Sequence, residues 1–231
     1  SRGLGDVYKR QMYRGMFGAH TAHVLRRLVR LAEHYGGSPQ IVMASATVSD
    51  PARHAATLAG RAFTAIDTDT SPRGEITIAM ALPRPTVETA WEGDVIRRSV
   101  VAETADTLAD LAIEGVRTLA FVRSRKATET VAQIARDRLQ DGHRGLVDKV
   151  TSYRGGYLPE ERRELERALR DGELLGVATT NALELGVDIS GLDATVLAGW
   201  PGSRASFWQQ VGRAGRAGQD AVALMFASDN P

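Results

Sequence analysis

The sequence predicts an α/β fold in which parallel sheets are covered by helices on both faces. Short apolar runs alternate with amphipathic helical segments along most of the chain, as they do where helices connect parallel strands. Polar residues follow the carboxyl ends of these runs, the edge of an open α/β sheet where ligands bind. The 231 residues exceed the usual size of one domain. We therefore expect two lobes, at residues 12–72 and 73–231, the first truncated and the second nearly complete.

The predicted first lobe keeps only the last elements of its sheet. Apolar side chains recur every three to four positions through residues 19–35, which predicts an amphipathic helix. The apolar run at 40–44 predicts a buried strand that ends in Ser45-Ala46-Thr47. A second helix is expected to begin at Pro51, and the polar residues 67–74 are interpreted as the junction between the lobes.

The predicted second lobe contains the remaining strands and helices. Its strands are short and mostly apolar, and several of its helices end at glycine. Pro83 and Pro85 are expected to end the first strand. Strands are predicted at residues 75–82, 118–122, 147–151, 174–178, 194–198 and 221–226. Helices are predicted at residues 99–114, 127–139, 160–170, 181–185 and 204–216.

Composition and charge exclude several classes of site. The net charge is +1, so any contact with nucleic acid must depend on locally placed arginines. The chain has no cysteine, which fits a reducing compartment, and its five histidines show no spacing typical of a metal site. No apolar run approaches the roughly 20 residues of a membrane helix. We expect a cytoplasmic protein with no metal ligands of its own and no membrane partner.

The first eleven residues match no periodic pattern. Residues 6–11 read like the translation of a transposon end used in preparing sequencing libraries. We therefore interpret residues 1–11 as a non-native artefact, and expect the natural protein to begin further upstream.

An arginine-rich stretch near the carboxyl end, residues 209–216, has a layout suited to an anion. Arg213 and Arg216 are three positions apart and are separated by glycine and alanine, so bulky side chains do not surround them. A guanidinium is always charged and can bind two phosphate oxygens at once. The alternative interpretation is a solvated helix end that stops at glycine.

Five short motifs lie at predicted strand ends or within the last predicted helix. They are Ser45-Ala46-Thr47, Phe121-Val122-Arg123-Ser124, Tyr153-Arg154-Gly155-Gly156, Thr179-Thr180 through Gly186-Val187-Asp188, and Gln209 to Arg216. In this order they resemble the later motifs of superfamily two helicases, which implies two RecA-like lobes. The stretches 13–20, 157–164 and 181–186 resemble the RecQ-related branch of DEAD/DEAH helicases, which usually carries a C-terminal four-cysteine zinc module and includes DNA-repair enzymes.

The resemblance implies one half of an ATP site. Arg216 would be the arginine finger, Arg213 its companion at the γ-phosphate, and Gln209 would line the same cleft. Asp188, in the loop with Gly186, would accept a hydrogen bond from the ribose hydroxyl.

Nucleic acid is the second ligand that the resemblance implies, as single-stranded or partly duplex DNA, with RNA as an alternative. Phosphates would be held without base readout by three pairs: Thr179 and Thr180, Arg123 and Ser124, and Arg154 and Gly155. Ser45 and Thr47 would couple the first lobe to movement against the second. For base stacking, Trp200 is the better candidate, because Trp208 is expected to lie in the core.

The chain contains no Gly-x-x-x-x-Gly-Lys-Ser/Thr, because its three lysines are followed by Arg10, Ala127 and Val150. The acidic box that would hold Mg²⁺ is absent too. We therefore expect the chain alone to be inactive toward ATP, with the Mg²⁺ ligands upstream and any zinc module downstream in a parent helicase. The alternatives are a non-catalytic nucleic-acid-binding module and an RNA helicase.

Overall fold

The computed structural model describes residues 15–45, 48–68, 70, 74–89, 95–153, 159–184, 192–215 and 218–227. The chain forms two compact units, Ser1–Thr70 (unit 1) and Ser71–Pro231 (unit 2). None of the described helices has both the length and the apolar composition needed to cross a membrane.

Unit 1 contains two helices, which confirms both helical predictions there: α1 (Gly15–His34) and α2 (Pro51–Ala59). Helix α2 begins where the Asp50 side chain accepts a hydrogen bond from the backbone N–H of Arg53 at 3.0 Å. It ends at Gly60, whose φ of +75° favours glycine. Nη2 of Arg26 on α1 donates to the carbonyl oxygen of Thr57 at 2.5 Å, which ties the two helices together.

The predicted strand at residues 40–44 is not formed, and this prediction was wrong. Val42 is 80% exposed, and the segment has no regular secondary structure. A strand requires a neighbour with which to form a hydrogen-bonded ladder, and the described part of unit 1 contains no strand. On α1, the apolar side chain of Leu28 is also 60% exposed, so the described part of the unit does not bury its predicted apolar face.

Unit 2 is built on a six-stranded sheet in the order β1-β8-β7-β4-β6-β5, and every pairing is parallel. The strands are β1 (Ile76–Ala81), β2 (Pro85–Thr89), β3 (Val95–Arg97), β4 (Thr118–Phe121), β5 (Val150–Tyr153), β6 (Gly176–Thr179), β7 (Ala194–Ala198) and β8 (Ala221–Phe226). The helices are α3 (Val100–Ile113), α4 (Arg125–Gln140), α5 (Pro159–Arg170) and α6 (Arg204–Val211).

Both faces of the sheet are covered, as the fold class predicted. On one face, Leu108 of α3 and Val131 of α4 pack in a fully buried cluster with the sheet. On the other face, Leu169 of α5 and Leu183 belong to a second cluster. Strands β4, β6 and β7 are buried along their whole length, which explains why they read as continuous apolar runs. The α/β architecture with a parallel sheet is therefore confirmed.

A small antiparallel hairpin, β2 and β3, was missed by the sequence analysis. Proline was expected only to end β1, but it is also tolerated as the first residue of a strand, where Pro85 stands.

Arg84, which precedes the hairpin, contacts Glu103 of α3 at 2.6 Å and Asp106 at 3.0 Å. The hydrogen bond to Glu103 raises the pKa of Arg84 despite some desolvation. Arg98, which follows the hairpin, also contacts Asp106, so both ends of the hairpin are fixed to α3.

A two-point ion pair fixes the amino ends of β4 and β7. Nε and Nη2 of Arg117 contact the two carboxylate oxygens of Asp193, each at 3.0 Å, and the backbone N–H of Arg117 donates to the same carboxylate. Burial raises the pKa of Asp193, but the hydrogen bonds and the charge of Arg117 outweigh it, so that the pKa lies below its ordinary value.

The predicted strand at 147–151 is shifted in the structure. A 3-10 turn occupies Arg144–Lys149, and β5 runs from Val150 to Tyr153. The apolar residues Leu146 and Val147 pack against the core from this turn. Their apolar character therefore reflects burial in a turn and not a strand period.

Candidate functional site

The carboxyl ends of four strands lie side by side at one edge of the sheet. Phe121 at the end of β4 pairs with Thr179 of β6 and with Leu197 of β7, and Tyr153 at the end of β5 pairs with Thr179. Because all four strands are parallel, the residues that follow them meet at this edge. The predicted contacts after β4 and β6 therefore come from neighbouring strands, and Trp200 follows β7 at the same edge.

Thr180 begins a tight turn directly after β6. Its Oγ1 accepts a hydrogen bond from the backbone N–H of Ala182 at 3.4 Å, and it caps the 3-10 turn Asn181–Leu183. Thr179 is fully buried, and its hydroxyl donates to the carbonyl oxygen of Thr180 at 3.1 Å. Thr179 thus supports the strand end, while Thr180 is half-buried at the edge.

Ser124 and Arg123 stand at the amino end of α4. The Ser124 hydroxyl accepts a hydrogen bond from the backbone N–H of Ala127 at 3.1 Å and caps the helix. Nη2 of the exposed Arg123 donates to the carbonyl oxygen of Trp200 at 3.2 Å, which links the ends of β4 and β7. Arg125 and Lys126 in the first turn are exposed as well, and that turn contains no acidic residue.

The arginine-rich stretch divides between a helix and a turn. Helix α6 ends at Val211, with Gly212 as its C-cap, so the prediction of a helix to residue 216 was wrong in its end. Gln209 is half-buried on the helix, and Arg213 lies in the turn beyond it. The N–H of Gly215 then donates to the carbonyl oxygen of Leu192 at 3.0 Å.

Gly215 is required by this turn for two reasons. Its φ is +77°, a conformation that side chains disfavour. A Cβ at this position would also lie 3.1 Å from the Cβ of Ala221. The glycine of the motif therefore serves the backbone path that returns to the sheet.

Glu184 is a site residue that the sequence analysis missed. It is only 5% exposed, and its Oε2 accepts a hydrogen bond from Nε2 of Gln210 at 3.0 Å in a buried environment. Its backbone carbonyl oxygen accepts a second hydrogen bond from Nη2 of Arg213 at 2.5 Å. A buried carboxylate needs such partners. Glu184 thus joins the turn after β6 to both halves of the arginine-rich stretch.

The aromatic residues depart from one expectation. Trp208 is 54% exposed, so its prediction as a core residue was wrong. The buried residues of α6 are instead Gln210 and Val211. Trp200 is 41% exposed at the sheet edge and stacks on Phe207 with ring centroids 5.6 Å apart and an interplanar angle of 23°.

Several predicted site residues lie outside the described residues: Thr47, Arg154, Gly155, Gly186, Asp188 and Arg216, together with the expected artefact at 1–11. Ser45 is exposed in unit 1. Within the described part of the chain, no three histidine or carboxylate side chains form a group that could hold a metal ion.

Part of unit 2 matches a known protein family. Residues 103–218 match the family described as the helicase conserved C-terminal domain. The matched segment contains the ends of β4, β5 and β6, as well as α6 and the turn beyond it at residues 212–215, called the arginine turn from here on.

Two similar proteins carry helicase names. The uncharacterized ATP-dependent helicase YprA of Bacillus subtilis is 40% identical over 220 residues, which cover 95% of this chain and 28% of YprA. The ATP-dependent helicase HRQ1 of Saccharomyces cerevisiae is 39% identical over 230 residues, covering 95% of this chain and 20% of HRQ1. The chain thus spans less than a third of either relative.

Solved structures of the DUF1998 helicase MrfA are also similar. MrfA bound to DNA superposes with a TM-score of 0.85 at 40% identity, covering 95% of this chain and 29% of that chain. MrfA bound to DNA and AMPPNP gives 0.84 at 39% identity, with 95% and 30% covered.

Proposed function

The chain belongs to the family of helicase conserved C-terminal domains, and we therefore propose that it is part of an ATP-dependent DNA helicase. Its role there is to hold the strand backbone and to supply arginines to the ATP site. The relatives named ATP-dependent helicases and the MrfA structures with DNA and an ATP analogue support this assignment.

The observation that carries the proposal is the concentration of cations at the amino end of α4. Arg123, Arg125 and Lys126 are exposed there, although the positive end of a helix dipole disfavours each nearby cation by about 0.3–1 kcal/mol. An anionic ligand would offset that cost. The turn at Thr180 follows β6, which pairs with β4 in the sheet. Successive phosphates of one nucleic-acid strand could therefore be bound along this edge.

Binding of this kind depends on phosphate rather than on base identity. Fluorescence anisotropy with labelled single-stranded DNA of two unrelated sequences tests it on the 231-residue chain. We expect equal affinities and a steep salt dependence. In Arg123→Ala the slope of log K against log salt should be smaller by about 0.7, the value for one phosphate contact on a single strand. An unchanged slope would contradict the phosphate role.

For the nucleotide, ATP would supply the phosphoryl group that is transferred to water. Arg213 and Arg216 would stabilise negative charge on that group, Gln209 would line the same cleft, and Asp188 with Gly186 would meet the ribose. Arg213 fits this role because Glu184 fixes its position and its charge does not depend on pH. Ligands for Mg²⁺ would come from other parts of the parent protein, because this sequence contains no acidic box to hold the ion.

We further propose, from the motif resemblance, that the parent belongs to the RecQ-related branch, acts in DNA repair and is cytoplasmic. The human ATP-dependent DNA helicase Q4, 36% identical over 112 residues that cover 46% of this chain and 9% of Q4, supports a DNA substrate. A four-cysteine zinc module would have to lie outside these 231 residues, because they contain no cysteine.

The parent protein provides the decisive experiment. With ATP and Mg²⁺ it should unwind a DNA duplex that carries a single-stranded tail, whereas the 231-residue chain should release no phosphate. Unwinding of an RNA duplex in preference to DNA would favour an RNA helicase. A parent that binds DNA but neither hydrolyses ATP nor unwinds would favour a non-catalytic module.

A further inference from the structure

We propose that Glu184 is a positioning residue that couples strand binding at Thr180 to the arginine turn at Arg213. The inference rests on the proposed function, because it assigns a route between the two ligands of that function. It depends on contacts within unit 2 alone.

The first half of the route is a short, hydrogen-bonded turn. Thr180 caps the 3-10 turn Asn181–Leu183, and the backbone N–H of Glu184 donates to the carbonyl oxygen of Asn181 at 3.1 Å. Leu183 is fully buried in the core cluster and anchors the turn. A strand phosphate that moves Thr180 would therefore also move Glu184, because only the closed turn Asn181–Leu183 separates them.

The second half of the route consists of two oxygen atoms of Glu184, each of which accepts a hydrogen bond from a different residue. The Glu184 carboxylate accepts from Gln210 at 3.0 Å on the buried side of α6. Its carbonyl oxygen accepts from Arg213 at 2.5 Å in the turn beyond the helix. Any displacement of Glu184 relative to α6 would strain both contacts and leave a buried polar group unsatisfied. The turn that contains Arg213 therefore keeps a fixed position relative to the turn that Thr180 begins.

A purely structural role for Glu184 makes a different prediction from a coupling role. A residue that only stabilises the fold would, when removed, lower ATP hydrolysis in the same proportion with and without DNA. A coupling residue would change the ratio of the two turnover numbers. The stimulation ratio, kcat with single-stranded DNA divided by kcat without it, therefore separates the two roles.

The test uses the full-length parent protein and compares Glu184→Ala with Glu184→Gln and with Glu173→Ala. Glu173 is an exposed glutamate in the same unit and is the matched control. In Glu184→Ala we expect the stimulation ratio to fall about tenfold or more, the size expected for one lost hydrogen bond to a charged group. Glu184→Gln keeps an acceptor for Gln210 and the same backbone carbonyl, and should retain most of the ratio.

Thermal unfolding of each variant accompanies the kinetics. If Glu184→Ala does not fold, Gln210→Glu takes its place, since it sets two carboxylates against each other, and the double variant with Glu184→Gln should restore the ratio. An unchanged ratio in a folded Glu184→Ala or Gln210→Glu protein would overturn the coupling role. A wild-type parent without DNA-stimulated hydrolysis would instead overturn the proposed function.

Discussion

The guanidinium of Arg213 donates a hydrogen bond to the backbone carbonyl oxygen of Glu184 at 2.5 Å, across 29 residues of sequence. Arg213 lies in a turn beyond the end of α6, where a long side chain would otherwise have many conformers. The contact reduces that freedom, so less entropy would be lost if the guanidinium binds the phosphate proposed for it.

Arg213→Lys tests whether this fixed, planar guanidinium is needed. Lysine keeps the charge but has no planar fork, and it would lose the geometry of the contact with Glu184. We expect ATP hydrolysis by the parent protein to fall about tenfold or more, while DNA affinity without nucleotide changes less than about twofold. Turnover equal to wild type in a steady-state phosphate-release assay would refute the role of Arg213.

Thr180→Ala should weaken binding of single-stranded DNA by about fivefold, the value of one neutral hydrogen bond of roughly 1 kcal/mol. The salt dependence should also become shallower if the turn no longer holds its phosphate. Thr180→Ser is the matched control, because serine keeps the hydroxyl that caps the Asn181–Leu183 turn. Equal affinity of the alanine and serine variants in a salt titration would exclude a hydroxyl contact.

Trp200 and Trp208 provide a matched pair for base stacking. Both are exposed, but only Trp200 lies just beyond β7 at the sheet edge, where Arg123 donates to its carbonyl oxygen. Trp200→Ala should cost about 1–3 kcal/mol of single-strand affinity if one base stacks on it, and Trp208→Ala should cost little. The measurement is fluorescence anisotropy on both variants, and equal losses would contradict a stacking role specific to Trp200.

The strand ends of this site could be predicted from sequence, because buried parallel strands are short apolar runs and the residues after them must lie at one edge. Glu184 could not, since a glutamate in a helical pattern normally faces solvent. Its burial depends on pairing with Gln210, 26 residues away. The end of α6 could have been predicted, because Gly212 was visible as a helix stop. The strand expected at residues 40–44 failed for another reason, namely that a ladder partner is not encoded in the segment itself.

The pKa of Asp193 makes stability depend on pH. The contacts with Arg117 lower this pKa below its unfolded value of about 3.9. The carboxylate therefore contributes stability that is fully present above the unfolded pKa and is lost as the pH falls through the folded pKa. Urea unfolding of Asp193→Asn should show lower stability than wild type at neutral pH, with a difference that shrinks below about pH 4. A difference independent of pH would assign the effect to packing rather than to charge.

Arg216 is the residue on which the predicted ATP chemistry depends most. As an arginine finger it would stabilise charge that develops on the transferred phosphate, a contribution of about 10³ to 10⁵ in rate. Arg216→Ala in the parent protein should therefore reduce ATP hydrolysis by about 10³ or more. DNA affinity without nucleotide should stay close to wild type, because the contacts with the DNA strand are assigned to the ends of β4, β5 and β6.

Arg144→Ala, which removes an exposed arginine of unit 2, is the matched control and should leave turnover unchanged. If both alanine variants hydrolyse ATP at the same rate, Arg216 is not the finger, and the charge on the phosphate must be stabilised by another residue.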